Sequence, residues 1–355
     1  MNTKFIVVTG GVISGVGKGV TTASIGKIFK EYGYKTTLIK IDPYINYDAG
    51  TLRPTEHGEV WVTEDGGEID QDLGTYERFI NEDIPKSNNI TTGQVYHAVI
   101  ERERKGAYLG STVQFVPHII DEIVSRINQA VAGYDIAIIE VGGTVGDHEN
   151  APFLFALKSL EQKRGPNHVS YILVTYLPIP SHIAEMKTKP TQQAIRLLSE
   201  HGIMPNFIIC RSTYPLDEVR KRKIELCAHI SSDNIIAAGD VRAIYEIPLL
   251  FEKQQLGKKL LASLDLTSRQ QPVWDGWRQR LHAIIKPAMA VKIAIVGKYL
   301  ESGSYDFTDS YISIYHALIH AGAEQNIGIE IEWIDAKKFK KGEGDLSYFD
   351  QFDGV

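Results

Sequence analysis

Cysteine is scarce in this chain. Its 355 residues include two, Cys210 and Cys227, with no metal-like spacing between them. That excludes a disulfide scaffold and a thiolate metal site, fits a reduced, cytoplasmic setting, and leaves both as packing residues. Long apolar runs are missing as well. None approaches the roughly 20 residues needed to cross a bilayer, and the first residues lead straight into an apolar strand with no export signal. Positive charge is in short supply: Lys and Arg total 38 against 44 Asp and Glu, a net charge of -6. Such a balance argues against a general nucleic-acid binder and leaves room for local basic pockets. There is no internal repeat and no low-complexity segment. What remains is an ordinary globular composition at a length that suggests about two domains, each able to bury its own core.

The most informative stretch is at the start. An apolar run, Phe5-Ile6-Val7-Val8, ends in Thr9 and a glycine-rich turn from Gly10 to Gly19, with Lys18 near its end. Ile25, Ile28, Phe29 and Tyr32 then mark a helix. Small residues let backbone N–H groups approach a polyphosphate, the helix turns its positive end towards it, and Lys18 adds a point charge. The pattern departs from the common phosphate loop in two places. Val12 stands where the first glycine is usual, and Gly19 where a Ser or Thr would hold magnesium. The metal must then take its ligands elsewhere.

Further strands are expected at Thr36 to Ile41, Ile136 to Val141, Ser170 to Leu177, Phe207 to Cys210 and Asn234 to Ala238, separated by helical stretches. That alternation predicts an α/β fold, a P-loop-like doubly wound parallel sheet with helices on both faces. Ligands of such a sheet sit at the carboxyl ends of its strands. Between Asp42 and about Tyr76 periodicity fades, and the stretch is too long for a mere connection, so it is expected to be a functional insertion. A boundary falls near Asp265 to Pro272. Beyond it come a Trp-bearing helix from Trp274 to Ile285, a strand from Val291 to Val296, a helix from Asp309 to His320 and a strand from Ile327 to Ile334. These read as the incomplete first unit of a second α/β domain. The final Phe352-Asp353-Gly354-Val355 looks like the entrance to another strand, and the natural chain is expected to continue.

Three groups of polar residues sit at strand ends. Glu140 closes an apolar strand before Val141-Gly142-Gly143-Thr144, the place where an acid holds magnesium in phosphoryl-transfer sites. Lys40-Ile41-Asp42 closes another, where an ammonium can meet a γ-phosphate. Lys187-Thr188-Lys189-Pro190-Thr191-Gln192 opens a helix with two lysines, two hydroxyls and a free N-terminus, an anion site. The insertion offers Glu64, Asp65, Glu68, Asp70 and Asp72 as further carboxylates, among which the residues alone do not choose.

Taken with Asp42-Pro43-Tyr44-Ile45-Asn46, Glu56-His57-Gly58-Glu59-Val60, Asp72-Leu73-Gly74, Tyr76-Glu77-Arg78-Phe79 and the run from Glu140 to Asp147, these segments resemble the CTP synthase family over the whole chain. The resemblance implies an ATP-dependent amidoligase domain over 1–266, a linker with a helix over 267–290, and an N-terminal fragment of a class I glutamine amidotransferase domain over 291–355. It implies phosphorylation of UTP by ATP at O4, then amination to CTP by ammonia, normally drawn from glutamine. By motif, Asp72 and Glu140 would bind Mg2+. Gly15, Val16, Gly17, Lys18, Gly19 and Val20 would bind ATP phosphates, with Asp72 beside them, and Gly239, Asp240 and Val241 would lie along the adenine. Lys18 and Lys40 would neutralise transferred charge. Ser14, Lys187, Thr188, Lys189, Pro190, Thr191, Gln192 and Lys223 would hold UTP.

The same phosphate contacts, with Asp147, His148 and Glu149 for base and ribose, would hold CTP as a feedback inhibitor. His148 stands where the family has an apolar residue. Relatives form homotetramers, some stacked into filaments, and respond to GTP through the glutaminase domain. Neither Cys210 nor Cys227 sits in the Gly-x-Cys-x-Gly turn of a glutaminase nucleophile, so this 355-residue chain is expected to use free ammonia rather than glutamine. Partitioning ATPases share the cradle and sheet, yet usually carry an extra lysine just before the glycine run, where Val8-Thr9-Gly10 offers none.

Overall fold

The computed structural model describes residues 3–165, 167–183, 185–302, 305–306, 308–337, 339 and 344–355. They form two compact units. The first comprises Met1–Asp48, Thr63–Gly67 and Thr75–Pro272, the second Ala49–Val62, Glu68–Gly74 and Val273–Val355.

The first unit is built on seven parallel strands: β1 (Lys4–Gly10), β2 (Thr36–Asp42), β3 (Asn89–Thr91), β4 (Ile136–Val141), β5 (Val169–Tyr176), β6 (Phe207–Ser212) and β7 (Ile235–Gly239). Their spatial order is β3-β2-β4-β1-β5-β6-β7, so the chain winds to one side of β1 and then the other. All seven residues of β1 and all seven of β2 are buried. Sheets covered by helices on both faces require that, and it is why their centres read as consecutive apolar residues, Phe5-Ile6-Val7-Val8 and Leu38-Ile39, rather than as an alternation. The covering helices include α1 (Lys18–Glu31), α2 (Thr92–Arg104), α3 (Ile120–Ala130), α4 (Ala151–Arg164), α5 (Lys189–Glu200), α6 (Glu218–Ala228), α7 (Ile247–Lys253) and α8 (Leu256–Ser263). On α1, Ile25, Ile28 and Phe29 are fully buried, while Tyr32 caps its end. Cys210 is buried in β6 among core side chains, which pushes its thiol up to about 12, and the pair of cysteines is free.

The expected strands all appear, within two residues of their anticipated ends. β3 was not among them. Its three residues, Asn89-Ile90-Thr91, carry too few apolar side chains to announce a strand, and they are held by pairing with Lys40, Ile41 and Asp42. The insertion is ordered: it holds a short helix Pro54–His57, an antiparallel pair Val60–Val62 with Glu68–Asp70, and a helix Asp72–Ile80.

The second unit carries α9 (Asp275–Ile285), β8 (Met289–Gly297), α10 (Ile312–Gln325) and β9 (Ile327–Asp335). β8 and β9 run parallel from Met289↔Ile327 to Gly297↔Asp335. A parallel bridge joins Ile293 to Gly354, with Ala294 N–H donating to the Gly354 carbonyl at 2.9 Å, so the last residues begin a further strand position beside β8. Within this unit Glu59 accepts hydrogen bonds from the backbone N–H (3.1 Å) and the hydroxyl of Ser313 on α10. No described helix is long and apolar enough to cross a membrane.

Candidate active site

The carboxyl ends of β1, β2 and β4 lie side by side, and the backbone register sets their side chains level. Val8 of β1 and Lys40 of β2 both pair with Glu140 of β4. Glu140 is 1% exposed. Lys40 Nζ lies 3.5 Å from its Oε1 and 3.8 Å from Asp42 Oδ1, and the Tyr76 hydroxyl donates to its Oε2. Asp42 is also held from β3: Asn89 Nδ2 donates to its Oδ2 at 2.7 Å. Carboxylates buried this deeply are tolerable only with such partners. Together they present an ammonium and carboxylate oxygens at one strand edge, the donor types that phosphate and a hard divalent cation accept.

The loop from Gly10 to Gly17 approaches the same edge from β1. Gly15 and Gly17 have φ of 70° and 94°, the left-handed region where glycine carries no steric penalty. Val12 shares that conformation with φ 80°. The Ile13 N–H donates back to the Gly11 carbonyl at 3.1 Å, closing a three-residue turn around Val12. For a β-branched residue this is strain, and it falls at the position where the usual loop has glycine. Lys18, the first residue of α1, is 9% exposed, and its Nζ donates to the Gly143 carbonyl at 2.9 Å. Its stem lies across Gly10, where a Cβ would stand 2.7 Å from Lys18 Cδ and 2.9 Å from Nζ.

Beside the loop is a cavity of about 320 Å³ lined by Gly17, Val20, Thr21, Arg211, Ala238, Asp240, Val241, Ile244, Ile247 and Phe251. Arg211 forms part of its wall, with its guanidinium donating to the Gly239 carbonyl at 3.2 Å and to Asp240 Oδ1 at 3.3 Å. Arg211, Ile244 and Phe251 were absent from the expected site. Arg211 could have been found, since it stands one residue before the end of β6, beside Ala238 at the carboxyl edge. No motif flags it.

At the start of α5, Pro190 lies in the first turn and no side chain caps the helix. Lys187 pairs with Glu185 at 2.6 Å and holds that carboxyl below its usual range, with Lys223 adding a smaller pull. Arg220 reaches the same glutamate at 2.8 Å. Gln192 donates to the Thr188 hydroxyl at 3.2 Å, and the Thr191 hydroxyl is engaged with Thr175 at 2.9 Å, both fully buried. Ser14 is exposed on its loop and Lys223 on α6. Asp147 accepts the Thr144 N–H at 2.7 Å, and His148 and Glu149 are exposed. Asp72 belongs to the second unit, where it opens the helix Asp72–Ile80 and donates its N–H to Asp70 Oδ1 at 2.8 Å.

A family profile described as CTP synthase N-terminus matches residues 4–266. The chain belongs to the CTP synthase family. Curated members share its sequence closely. The CTP synthase of Pyrococcus abyssi is 48% identical over 339 residues, that of Methanocaldococcus jannaschii 48% over 340, and that of Methanopyrus kandleri 45% over 344. Each alignment covers 96% of this chain and 62%, 62% and 63% of the relative, so the chain spans under two thirds of these family members. Among solved structures, a plasmid partition protein of Borrelia burgdorferi B31 covers 73% of this chain and 100% of its own at 13% identity and a TM-score of 0.35, too remote to bear on fold or ligand.

Proposed function

We propose that this chain carries the amidoligase chemistry of a CTP synthase. The γ-phosphoryl group of ATP is transferred to O4 of UTP, releasing ADP. Ammonia then adds at C4, and the C4–O bond breaks with loss of inorganic phosphate, giving CTP. One observation carries the reading: Lys40 and Glu140 pair in register at the strand edge onto which the glycine-rich loop and Lys18 open.

A pyrimidine oxygen leaves poorly until phosphorylated, so the first step is a matter of positioning and charge. Backbone N–H groups of Gly15 to Val20 and the Lys18 ammonium would bind the ATP phosphates. Lys40 would meet charge on the phosphoryl group in transit. Gly239, Asp240 and Val241 would lie along the adenine, in the cavity that Asp240, Val241 and Arg211 line. Lys187 to Gln192, Ser14 and Lys223 would hold the UTP phosphates, and CTP would use these with Asp147, His148 and Glu149 as inhibitor.

Among the described residues no group of three or more His, Cys, Asp or Glu side chains is placed to enclose a metal. Magnesium does not ask for one, because it takes one or two carboxylates and fills its octahedron with water and phosphate oxygens. Glu140, all oxygen and set at the strand edge, fits. Asp72 is proposed as a metal ligand on the resemblance alone. The ion, when bound, neutralises phosphate charge.

The family profile over 4–266 supports an amidoligase domain at 1–266, followed by a linker with a helix at 267–290 and the opening of a class I glutamine amidotransferase domain at 291–355. Glutamine as ammonia donor, GTP as activator and a homotetramer follow from the resemblance.

The test is ultraviolet detection of CTP formed from UTP, ATP, Mg2+ and ammonium. Lys18→Ala and Asp72→Asn should each lower the rate about 10²-fold or more if electrostatic stabilisation dominates. Absence of CTP formation, with ATP and UTP both bound, would overturn the assignment.

A further inference from the structure

We propose that Asp147 and Asn150 are positioning residues for Lys18, acting through two peptide groups of the loop that follows β4. This rests on the reading of Lys18 as a phosphate-binding lysine.

The loop is pinned to neighbouring strands at two points. Gly142 N–H donates to the Ile41 carbonyl and Val145 N–H to the Gly10 carbonyl, each at 2.7 Å. Between the pins lies the Gly143–Thr144 peptide, whose N–H is held by a side chain, while the Thr144–Val145 peptide carries the second pin itself. The Gly143–Thr144 peptide turns its carbonyl to Lys18 Nζ, and its N–H, on the opposite side, is held by Asp147 Oδ2 at 2.7 Å. In a planar trans peptide the two ends move together, so the carboxylate that fixes the N–H also fixes the carbonyl that receives the ammonium. The next peptide, Thr144–Val145, has its N–H on Gly10, and its carbonyl accepts the Asp147 N–H at 3.0 Å and Asn150 Nδ2 at 2.7 Å, so the Asn150 amide completes its hold.

Asn150 is an expensive choice for this place. It is 2% exposed, and its Oδ1 is buried without a hydrogen-bond partner. A buried amide left half satisfied destabilises the fold, and an apolar side chain of similar size would not. The bond to Thr144 is what the amide supplies. Gly143 adds to the fit: it has φ 74°, and a Cβ there would stand 3.4 Å from Asp147 Oδ2 and 3.7 Å from Asn150 Nδ2.

The consequence is that Asp147 and Asn150 set where the Lys18 charge rests before phosphates arrive. Neither needs to touch ATP to do so.

The test is calorimetric titration of ATP with Mg2+ into the 355-residue chain, its variants, and the same variants in a Lys18→Ala background. Asp147→Ala and Asn150→Ala should each weaken binding about 5- to 10-fold, and should have no further effect once Lys18 is alanine, because effects routed through one residue do not multiply. Asp147→Asn keeps an acceptor for the Thr144 N–H and should bind like the parent. Asn150→Asp keeps the size but faces a carbonyl with another acceptor, and should match Asn150→Ala. If the losses persist undiminished beside Lys18→Ala, or Asp147→Asn is as weak as Asp147→Ala, the positioning role is wrong. If Lys18→Ala alone leaves ATP binding unchanged, the reading of Lys18 fails and this inference with it.

Discussion

The guanidinium of Arg269 lies 4.2 Å over the ring of Tyr34. From there its terminal nitrogens reach both oxygens of Asp135, at 2.6 and 3.1 Å, while the Tyr34 hydroxyl donates to the Thr267 carbonyl. The stretch that the sequence marks only as a break between domains is thus fastened, in its first residues, to the amino end of the sheet.

This clasp predicts a pH dependence. Hydrogen bonding by Arg269 holds the Asp135 carboxyl below its usual range. A depressed acid contributes stability above its unfolded pKa and loses it as pH falls through the folded value. Arg269→Ala should therefore cost about 1 kcal/mol at pH 7, discounted for partial exposure. The difference from the parent in urea unfolding should shrink only below pH 4.

A half-buried acid of opposite behaviour sits on α7, facing the end of α1. Tyr32 donates to Glu252 Oε2 at 3.0 Å, but burial dominates and raises the Glu252 carboxyl. Stability is then greatest below the unfolded pKa and falls as pH rises through the folded one. Glu252→Gln keeps an acceptor for Tyr32 and removes the charge. Its Tm should exceed the parent's at pH 8 and coincide with it at pH 4.

Val12 offers a test of strain. Val12→Gly removes a β-branched side chain from φ 80° at some cost in unfolded-chain entropy, and the balance should stabilise the chain by roughly 1 kcal/mol, read as a rise in Tm of about 2 °C. An unchanged or lower Tm would show that the neighbouring structure accommodates the turn without strain.

Arg211 bridges the cavity wall through charge-assisted bonds to Gly239 and Asp240. Arg211→Ala should raise KM for ATP about 10-fold, the value of one such bond, with KM for UTP unchanged. Equal rises for both nucleotides would place Arg211 outside the ATP site.

How much of this was legible in the sequence depended on whether the signal was local. β1, β2 and β4 are strands of six or seven residues built around short apolar runs, and their burial on both faces is what makes them visible. Lys18 follows from its place in the glycine-rich turn before α1, and Lys40 and Glu140 from theirs near strand ends. Asn89 does not: its hold on Asp42 exists only because β3 pairs beside β2, a tertiary fact with three residues of local trace. The helices Asp72–Ile80, α7 and α8 were also unforeseen, being short and set among residues of mixed polarity. The roles of Asp147 and Asn150 in the loop are likewise invisible in order of residues, since they depend on which way two peptides face.

The bare Cα of Gly10 lies under the folded stem of Lys18. A single methyl at that point would displace an ammonium eight residues downstream without itself approaching any nucleotide. Saturation mutagenesis of the loop should accordingly find position 10 among its least permissive, and would misread it as a contact residue if intolerance alone were taken as a sign of touch.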